Sequence, residues 1–461
     1  MKTIKTPIIP INNTIAKVQG KHELDLEAIC LFIAFGFFID TDSYWKDEIV
    51  LSPGSIYKLD KDGHVISSEK WFQWNYKPRE ISFEDTLQEF TKLFETVVED
   101  QTKEKKVILP ISGGLDSRTQ AVALRNHPNV KSYSYDYEGG YPETKIAKKI
   151  ADKCQFPFQS LSVPKGYLWN CIEELAEINQ CYSEFTHPRQ MAFIDTFKDM
   201  GESFSLGHMG DLMFDSFGFP NLSFDEEVEV LVKMLLKKGG FELAEALWKS
   251  WNLKGSFEDY FDSRIRELLK DIKIENTNAR IRAFKTQYYV SRWSSNNLSI
   301  FNKVAPVTLP YYDNRMCEFI CTIPEEHLAN RKLQIAYIQQ NAPDLAKVTW
   351  QSKKPYNLNN YHLNKTPYNL PYRITNKLKR ELNDFMGKPY ISRNWELQFV
   401  GKENDKHLRK WLFDSKLKDL VPKDIIQQFY DNFKEKDAVK YSHSISMLLT
   451  LALFQEKFNN K

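Results

Sequence analysis

Between Lys106 and Gly207 the sequence alternates short apolar runs with longer segments whose apolar residues recur at helical spacing, and this alternation restricts the fold more than any other feature. "KVILPIS", "VKSYSYDY" and "FQSLSV" read as strands. "RTQAVALRNH", "PETKIAKKIADKC" and "HPRQMAFIDTFKDM" read as helices, the last leading into "SFSLG". Strands separated by helices pair in parallel, because the helix is the crossover that brings the chain back to the same edge. The pattern therefore predicts an α/β fold: a parallel sheet with helices on both faces.

The flanks differ from this centre. From the start to about Lys77 there is one short apolar helix, "DLEAICLFIAFGF", and then short alternating segments punctuated by Pro53-Gly54 and Asp62-Gly63, a small antiparallel β-rich region. A helix begins at Ser82, where "SFED" offers a capping residue with an acidic partner three positions on. From about Ser223 onward the pattern is mostly helical, with aromatic stripes that read as core packing. The division expected is residues 1–80 and residues 81–461, within the roughly two to four domains that a chain of 461 residues allows.

Lys and Arg number 63 against 61 Asp and Glu, a net charge of +2, and no strong basic excess exists to track a nucleic-acid backbone. The six cysteines form no CxxC pair, as expected of a reducing compartment without structural zinc. The N-terminus carries no apolar signal core, and the longest apolar run, "LFIAFGFFI", is too short to span a bilayer. The expectation is a soluble cytoplasmic protein with neither membrane nor nucleic acid among its partners; the sequence is silent on oligomeric state.

The stretch "ISGGLDSR" follows the first strand and opens a helix, the place where parallel α/β sheets bind ligands. Gly113 and Gly114 let backbone amides approach an anion, Ser112 and Ser117 add hydroxyls, and the helix dipole favours negative charge. A phosphate or pyrophosphate is the expected guest. Neither the Walker pattern nor a GxGxxG fingerprint is present. The six residues Ser112, Gly113, Gly114, Leu115, Asp116 and Ser117 resemble the pyrophosphate-binding loop, or PP-loop, of the ATP pyrophosphatase superfamily, which cleaves ATP between its α and β phosphates. Asp116 inside such a cradle makes sense as a ligand of Mg2+, which in turn clamps the phosphates.

The order and spacing of "LDLEAICLFIAFGF", "LSPGSIYKLDKDG", "SGGLDS", "YPETKIAKKIA", "LGHMGD" and "LPYYDNRMCEFICTIPEEH" resemble asparagine synthetase-like proteins, from about residue 24 to the C-terminal "LLTLALFQEKF". The resemblance implies an ATP-dependent ligase that adenylates a small-molecule or peptide carboxylate, releases pyrophosphate, and passes the acyl group to ammonia or an amine. It further implies that Asp211 joins Asp116 in holding Mg2+, and that Tyr135, Leu206 and Gly207 line the adenosine site. Lys353 matches the lysine that steadies negative charge, with Lys354 a one-residue alternative that the sequence does not exclude.

Two departures qualify the resemblance. No N-terminal cysteine-dependent glutaminase is recognisable, so residues 1–80 read as a vestige of that domain and the amine is expected from solution or from the substrate itself. In "SLGHMGDLMFDSFG", His208, Met209, Leu212 and Asp215-Ser216 stand where the family usually has acidic residues and glycines. His208 is expected to serve as a catalytic proton acceptor, because an unperturbed imidazole titrates near working pH. His187 reads chiefly as a cap before Pro188, Glu143 as a residue favoured at a helix start, and Arg292, Asn296 and Asn297 as candidates for binding the acid among which the sequence does not choose. The alternatives are a nucleotide-binding protein without turnover, and a relative that adenylates a nucleic-acid base for thiolation.

Overall fold

The computed structural model describes residues 1–387 and 389–459. Three antiparallel strands, β1 (Lys2–Lys5), β4 (Ser55–Leu59) and β5 (Val65–Lys70), pair in the order β1-β4-β5, and β2 (Ile15–Lys17) pairs with β3 (Glu48–Val50). Between them lies helix α1 (Leu26–Phe35), in which every residue from Ala28 to Phe35 is buried. A helix apolar on all sides has no solvent face, and α1 is enclosed by the C-terminal half of the molecule. Asp25 caps its start at 3.0 Å from the Ala28 amide, and Gly36, at φ 85°, ends it in a left-handed conformation costly for other residues. Ile8 through Phe454 belong to one contiguous apolar core, so the N-terminal strands border that core instead of enclosing one of their own size.

Helix α2 (Phe83–Thr102) then leads into the main sheet. Its strands are β6 (Val107–Pro110), β7 (Val130–Tyr137), β8 (Phe158–Val163), β9 (Ser203–Ser205) and β10 (Val307–Thr308), all parallel, in the order β10-β9-β6-β7-β8. Helix α3 (Asp116–Ala123) joins β6 to β7, helix α4 (Thr144–Cys154) joins β7 to β8, and α5 (Leu168–Asn179) follows β8. The predicted α/β class is thus the one found. The segment "HPRQMAFIDTFKDM" forms less helix than its spacing predicts: a short turn over Arg189–Phe193 precedes a helix of five residues, Ile194–Lys198.

The chain runs outward from β6 through β7 to β8, then returns to place β9 on the other side of β6. The connections after β6 and β9 consequently diverge to opposite faces and open a crevice at the carboxyl ends of these two strands. Both motifs singled out by sequence, Ser112–Ser117 and Gly207–Asp211, follow these strands. Beyond β9 the protein is mainly helical, and it closes with Ala438–Lys457, whose fourteen buried residues pass through the core beside α1; the His443 ring lies 2.9 Å from the Ile33 carbonyl. Among the described residues no helix is long and apolar enough to cross a membrane.

Candidate active site

A cleft of about 690 Å3 opens at this crevice, lined by Ser112, Gly114, Leu115, Asp116 and Ser117 from the first loop and Gly207, His208 and Asp211 from the second. Tyr135, from β7, forms a side wall. The loop is shaped by its own hydroxyls: the Ser112 amide donates to Ser117 Oγ at 2.9 Å, the two hydroxyls lie 3.1 Å apart, and the Gly114 amide donates to Ser112 Oγ at 3.2 Å. The side chain of Leu115 is buried, and so is that of Leu206 just after β9; Leu115 still borders the cleft, whereas Leu206, expected beside the adenosine, does not line it. Gly207 and Gly210 are required by proximity. A Cβ at Gly207 would stand 3.1 Å from the Ser117 nitrogen, and one at Gly210 would stand 2.5 Å from Asp116 Oδ1.

Gly113 faces a different neighbour. Its amide donates to the side-chain oxygen of Gln351 at 3.0 Å, and its carbonyl accepts from the Gln351 amide at 3.0 Å. One of the loop amides expected to hold phosphate is therefore satisfied from within the protein. Arg118, the next residue but one after Asp116, is fully buried and donates to four carbonyls: Gly113 at 3.2 Å, Leu345 at 3.3 Å, Val348 at 2.9 Å and Thr349 at 2.8 Å. It ties the loop to the segment that carries Trp350 and Gln351 into the cleft. Burial lowers its pKa to about 10, and it remains a cation at neutral pH.

Asp116 is the most constrained acid of the site. Gln334 donates to its Oδ1 at 3.0 Å and to the Tyr311 hydroxyl at 2.9 Å, the Tyr311 hydroxyl donates to the Asp116 carbonyl at 3.0 Å, and Arg331 pairs with the same Oδ1. Its pKa is raised: burial is the main cause, Arg331 opposes it, and the nearby Asp211 adds to it. Arg331 is itself presented by two successive left-handed residues, Asn330 at φ 59° and Arg331 at φ 63°, and its charge opposes the burial that raises the Asp215 pKa. The carboxylate of Asp215, one of the departures from the family pattern, accepts from the Ser216 amide at 2.9 Å.

Asp116 and Asp211 supply hard oxygen donors suited to Mg2+. Among the described residues no group of three or more His, Cys, Asp or Glu stands ready to hold a metal unaided. Two neighbouring carboxylates, beside loop amides for phosphate, fit an ion that takes its remaining oxygens from a nucleotide and from water.

His208 lies on the cleft wall with its ring edge-on to Phe301, the centroids 6.1 Å apart. Burial, and secondarily the charge of Arg189, push its pKa down to about 4. The sequence expectation of a base titrating near working pH is corrected here: the imidazole is neutral, but a weaker proton acceptor than an exposed histidine. Lys353 sits on the turn Gln351–Lys353, whose Trp350, Gln351 and Ser352 line the cleft, yet its own Nζ lies 5.7 Å from the centre of the Trp350 ring and its side chain forms no part of the wall. Lys354 faces a neighbouring cavity instead.

The remaining candidates resolve into structural roles. Arg292 is buried and donates to the carbonyls of Asp40 and Asp42; Asn296 bonds the carbonyls of Tyr182 and Arg292, and Asn297 that of Trp293. His187 pairs with buried Glu184 at 3.0 Å instead of capping a helix. Glu143 precedes α4, but the cap there is Asp136, whose carboxylate accepts from the Glu143 and Thr144 amides at 2.6 and 2.9 Å.

Sequence reasoning missed Arg331, Gln334, Gln351, Tyr311 and Arg189. The last donates to the hydroxyls of Tyr135 and, at 3.0 Å, Tyr137, placing a second cation beside the cleft. Arg118 was missed as well, although it lies on the first turn of the helix that opens from the loop. A search of curated proteins finds no match to the chain. The family model described as asparagine synthase matches residues 89–456, from within the helix before the loop to the last turns of the final helix, and the chain belongs to the asparagine synthase family.

Proposed function

We propose that the protein is an AMP-forming carbon–nitrogen ligase acting on a carboxylate and on ammonia or an amine. In the first step a carboxylate oxygen attacks the α-phosphorus of ATP, the bond from that phosphorus to the bridging oxygen breaks, and pyrophosphate leaves. In the second the amine nitrogen attacks the acyl carbon, loses a proton, and AMP departs with the electrons of the carbon–oxygen bond. The observation that carries this reading is the joining of the SGGLDS loop, Asp116 and Asp211 in one cleft at the strand-order reversal.

The Ser112, Gly114 and Ser117 groups would bind the departing pyrophosphate, and Tyr135 and Gly207 would border the adenosine. Asp116 and Asp211 would hold Mg2+, which supplies charge neutralisation to the phosphates. Arg331 and Arg189 add positive charge where several negative charges develop, and Lys353 reinforces them from the turn at the cleft mouth. His208 offers the incoming amine a neutral hydrogen-bond acceptor; anionic phosphates beside it raise its proton affinity above that of the empty cleft.

A second reading, nucleotide binding without turnover, draws on the Arg331 contact to Asp116, the Gln351 side chain on Gly113 and the apolar Leu212. Phosphorus NMR of the protein with ATP, Mg2+ and pooled acids and amines, run beside Asp116→Ala, separates the two. AMP and pyrophosphate that vanish in the variant support the ligase. ADP and phosphate would contradict it, and intact ATP that still protects against thermal unfolding favours the second reading.

A further inference from the structure

The helix Leu370–Phe385 departs from every other long helix of the molecule in having no buried residue. Ile374, Leu378, Leu382 and Phe385 recur at spacings of three and four, and are 55%, 59%, 57% and 90% exposed. Such a stripe normally faces a core. An adjoining arc of the helix, which includes Ile374 of the stripe itself, borders a cavity of about 740 Å3, together with Tyr141, Tyr390 and Lys354.

The charge of that cavity is one-sided. Lys354, Arg373, Lys377, Lys379 and Arg380 line it, and among the described residues on its wall the sole carboxylate is Glu143. Its floor is fixed: Tyr141 stacks on Tyr390 with centroids 4.2 Å apart, and the Ile391 amide bonds the Gly139 carbonyl at 3.1 Å. Glu143 also lines the nucleotide cleft, so the basic cavity and the cleft adjoin. Five cations against one carboxylate on this wall, with Lys377 also 3.7 Å from Glu381, give the cavity a positive potential that attracts an anion.

We propose that this cavity and the apolar stripe beside it dock an acidic, amphipathic polypeptide segment, which brings the carboxylate to be activated into the cleft. The proposal rests on the ligase reading for the last clause alone. A nucleic acid or polyphosphate would satisfy the cations but leave the stripe bare. An anionic membrane would cover the stripe, yet the cations it needs are turned into the cavity. A chain bearing both carboxylates and aliphatic side chains satisfies both faces.

The test is fluorescence anisotropy of a fluorescein-labelled peptide of Glu and Leu, measured on the full chain without ATP, so that its result does not depend on adenylation. The peptide is expected to bind, the more weakly as salt is raised. Arg373→Glu with Lys377→Glu and Arg380→Glu should weaken it by about tenfold or more, and Leu378→Ser with Leu382→Ser should also weaken it. Because these side chains are exposed, the melting temperature should be unchanged. Equal binding by the charge-reversed protein, preference for a Lys and Leu peptide, or binding of phosphatidylglycerol vesicles or polyadenylate in place of the acidic peptide would each overturn the proposal. Peptide binding without any AMP formation would leave the docking surface standing and remove the ligase; AMP formation from small acids without peptide binding would do the reverse.

Discussion

The guanidinium of Arg331 meets the carboxylate of Asp116 inside the cleft, while Gln334 reaches the same oxygen at 3.0 Å. On the ligase reading a cation stands where the metal–nucleotide complex would bind, and it would transfer from the carboxylate to the phosphates. Arg331→Gln should lower the rate of pyrophosphate formation by about 10²-fold, the size typical of losing one preorganised electrostatic stabiliser. Melting should change little, since Gln334 continues to donate to Asp116. An unaltered turnover number would exclude Arg331 from the reaction.

Gln351 occupies the Gly113 amide, and on the ligase reading an incoming phosphate would displace it. Gln351→Ala removes this internal competitor, and ATP should bind about three- to tenfold tighter, as expected from the net strength of one hydrogen bond. Isothermal titration calorimetry reads the difference. Weaker binding in the variant would mean that the Gln351 side chain contacts the nucleotide directly.

Arg118 is a buried cation whose partners are all neutral carbonyls. Arg118→Met should destabilise the fold by about 2–4 kcal/mol, because carbonyls lose their donors away from water. Chemical denaturation provides the measurement, with limited proteolysis near Thr349 as a local readout. A variant as stable as the parent would show that water replaces the guanidinium without cost.

Acid should weaken the protein earlier than its carboxylates alone would dictate. Burial pushes both His208 and His443 down to about 4 from about 6.5. Between these two values the unfolded chain takes up protons that the folded chain refuses. The contribution of these histidines is therefore full above about pH 6.5, declines as pH falls toward about 4, and levels below it, by roughly 3 kcal/mol per histidine. Glu184 titrates outside this window: burial pushes its carboxyl up, but His187 and the Thr186 hydroxyl hold it far below the usual range. His208→Asn should flatten the decline measured by denaturation at successive pH values, and an unchanged slope would contradict the assignment.

Strands β7 and β8 were legible almost to the residue, because β-branched and aromatic runs there end at turn residues. The cleft was legible where its residues are neighbours in sequence, as in the SGGLDS loop and Gly207–Asp211. It was illegible where contacts span the chain: Arg331, Gln334 and Gln351 reach the first loop across 215, 218 and 238 positions, and periodicity carries no information at such separations. The two-residue strand β10 is too short to show an alternation. His208 misled because its residue type suggested its ordinary pKa, and only packing reveals the burial that lowers it. Lys353 lies on a turn beside the cleft, and the direction of its side chain, set by the Trp350 ring next to it, could not be read from sequence.

Helix α1 and the helix Ala438–Lys457 are in contact through residues 410 positions apart. A ribosome adding about 5–20 residues per second needs roughly 20–80 s to cover that distance. For this whole interval one of the most apolar segments of the protein is made and waiting for the last of the helices that touch it, after the helix Lys238–Ser250 has already arrived. The nascent chain is thus a natural client for a holding chaperone, and translation speed, as much as sequence, bears on how much of the protein reaches its native state.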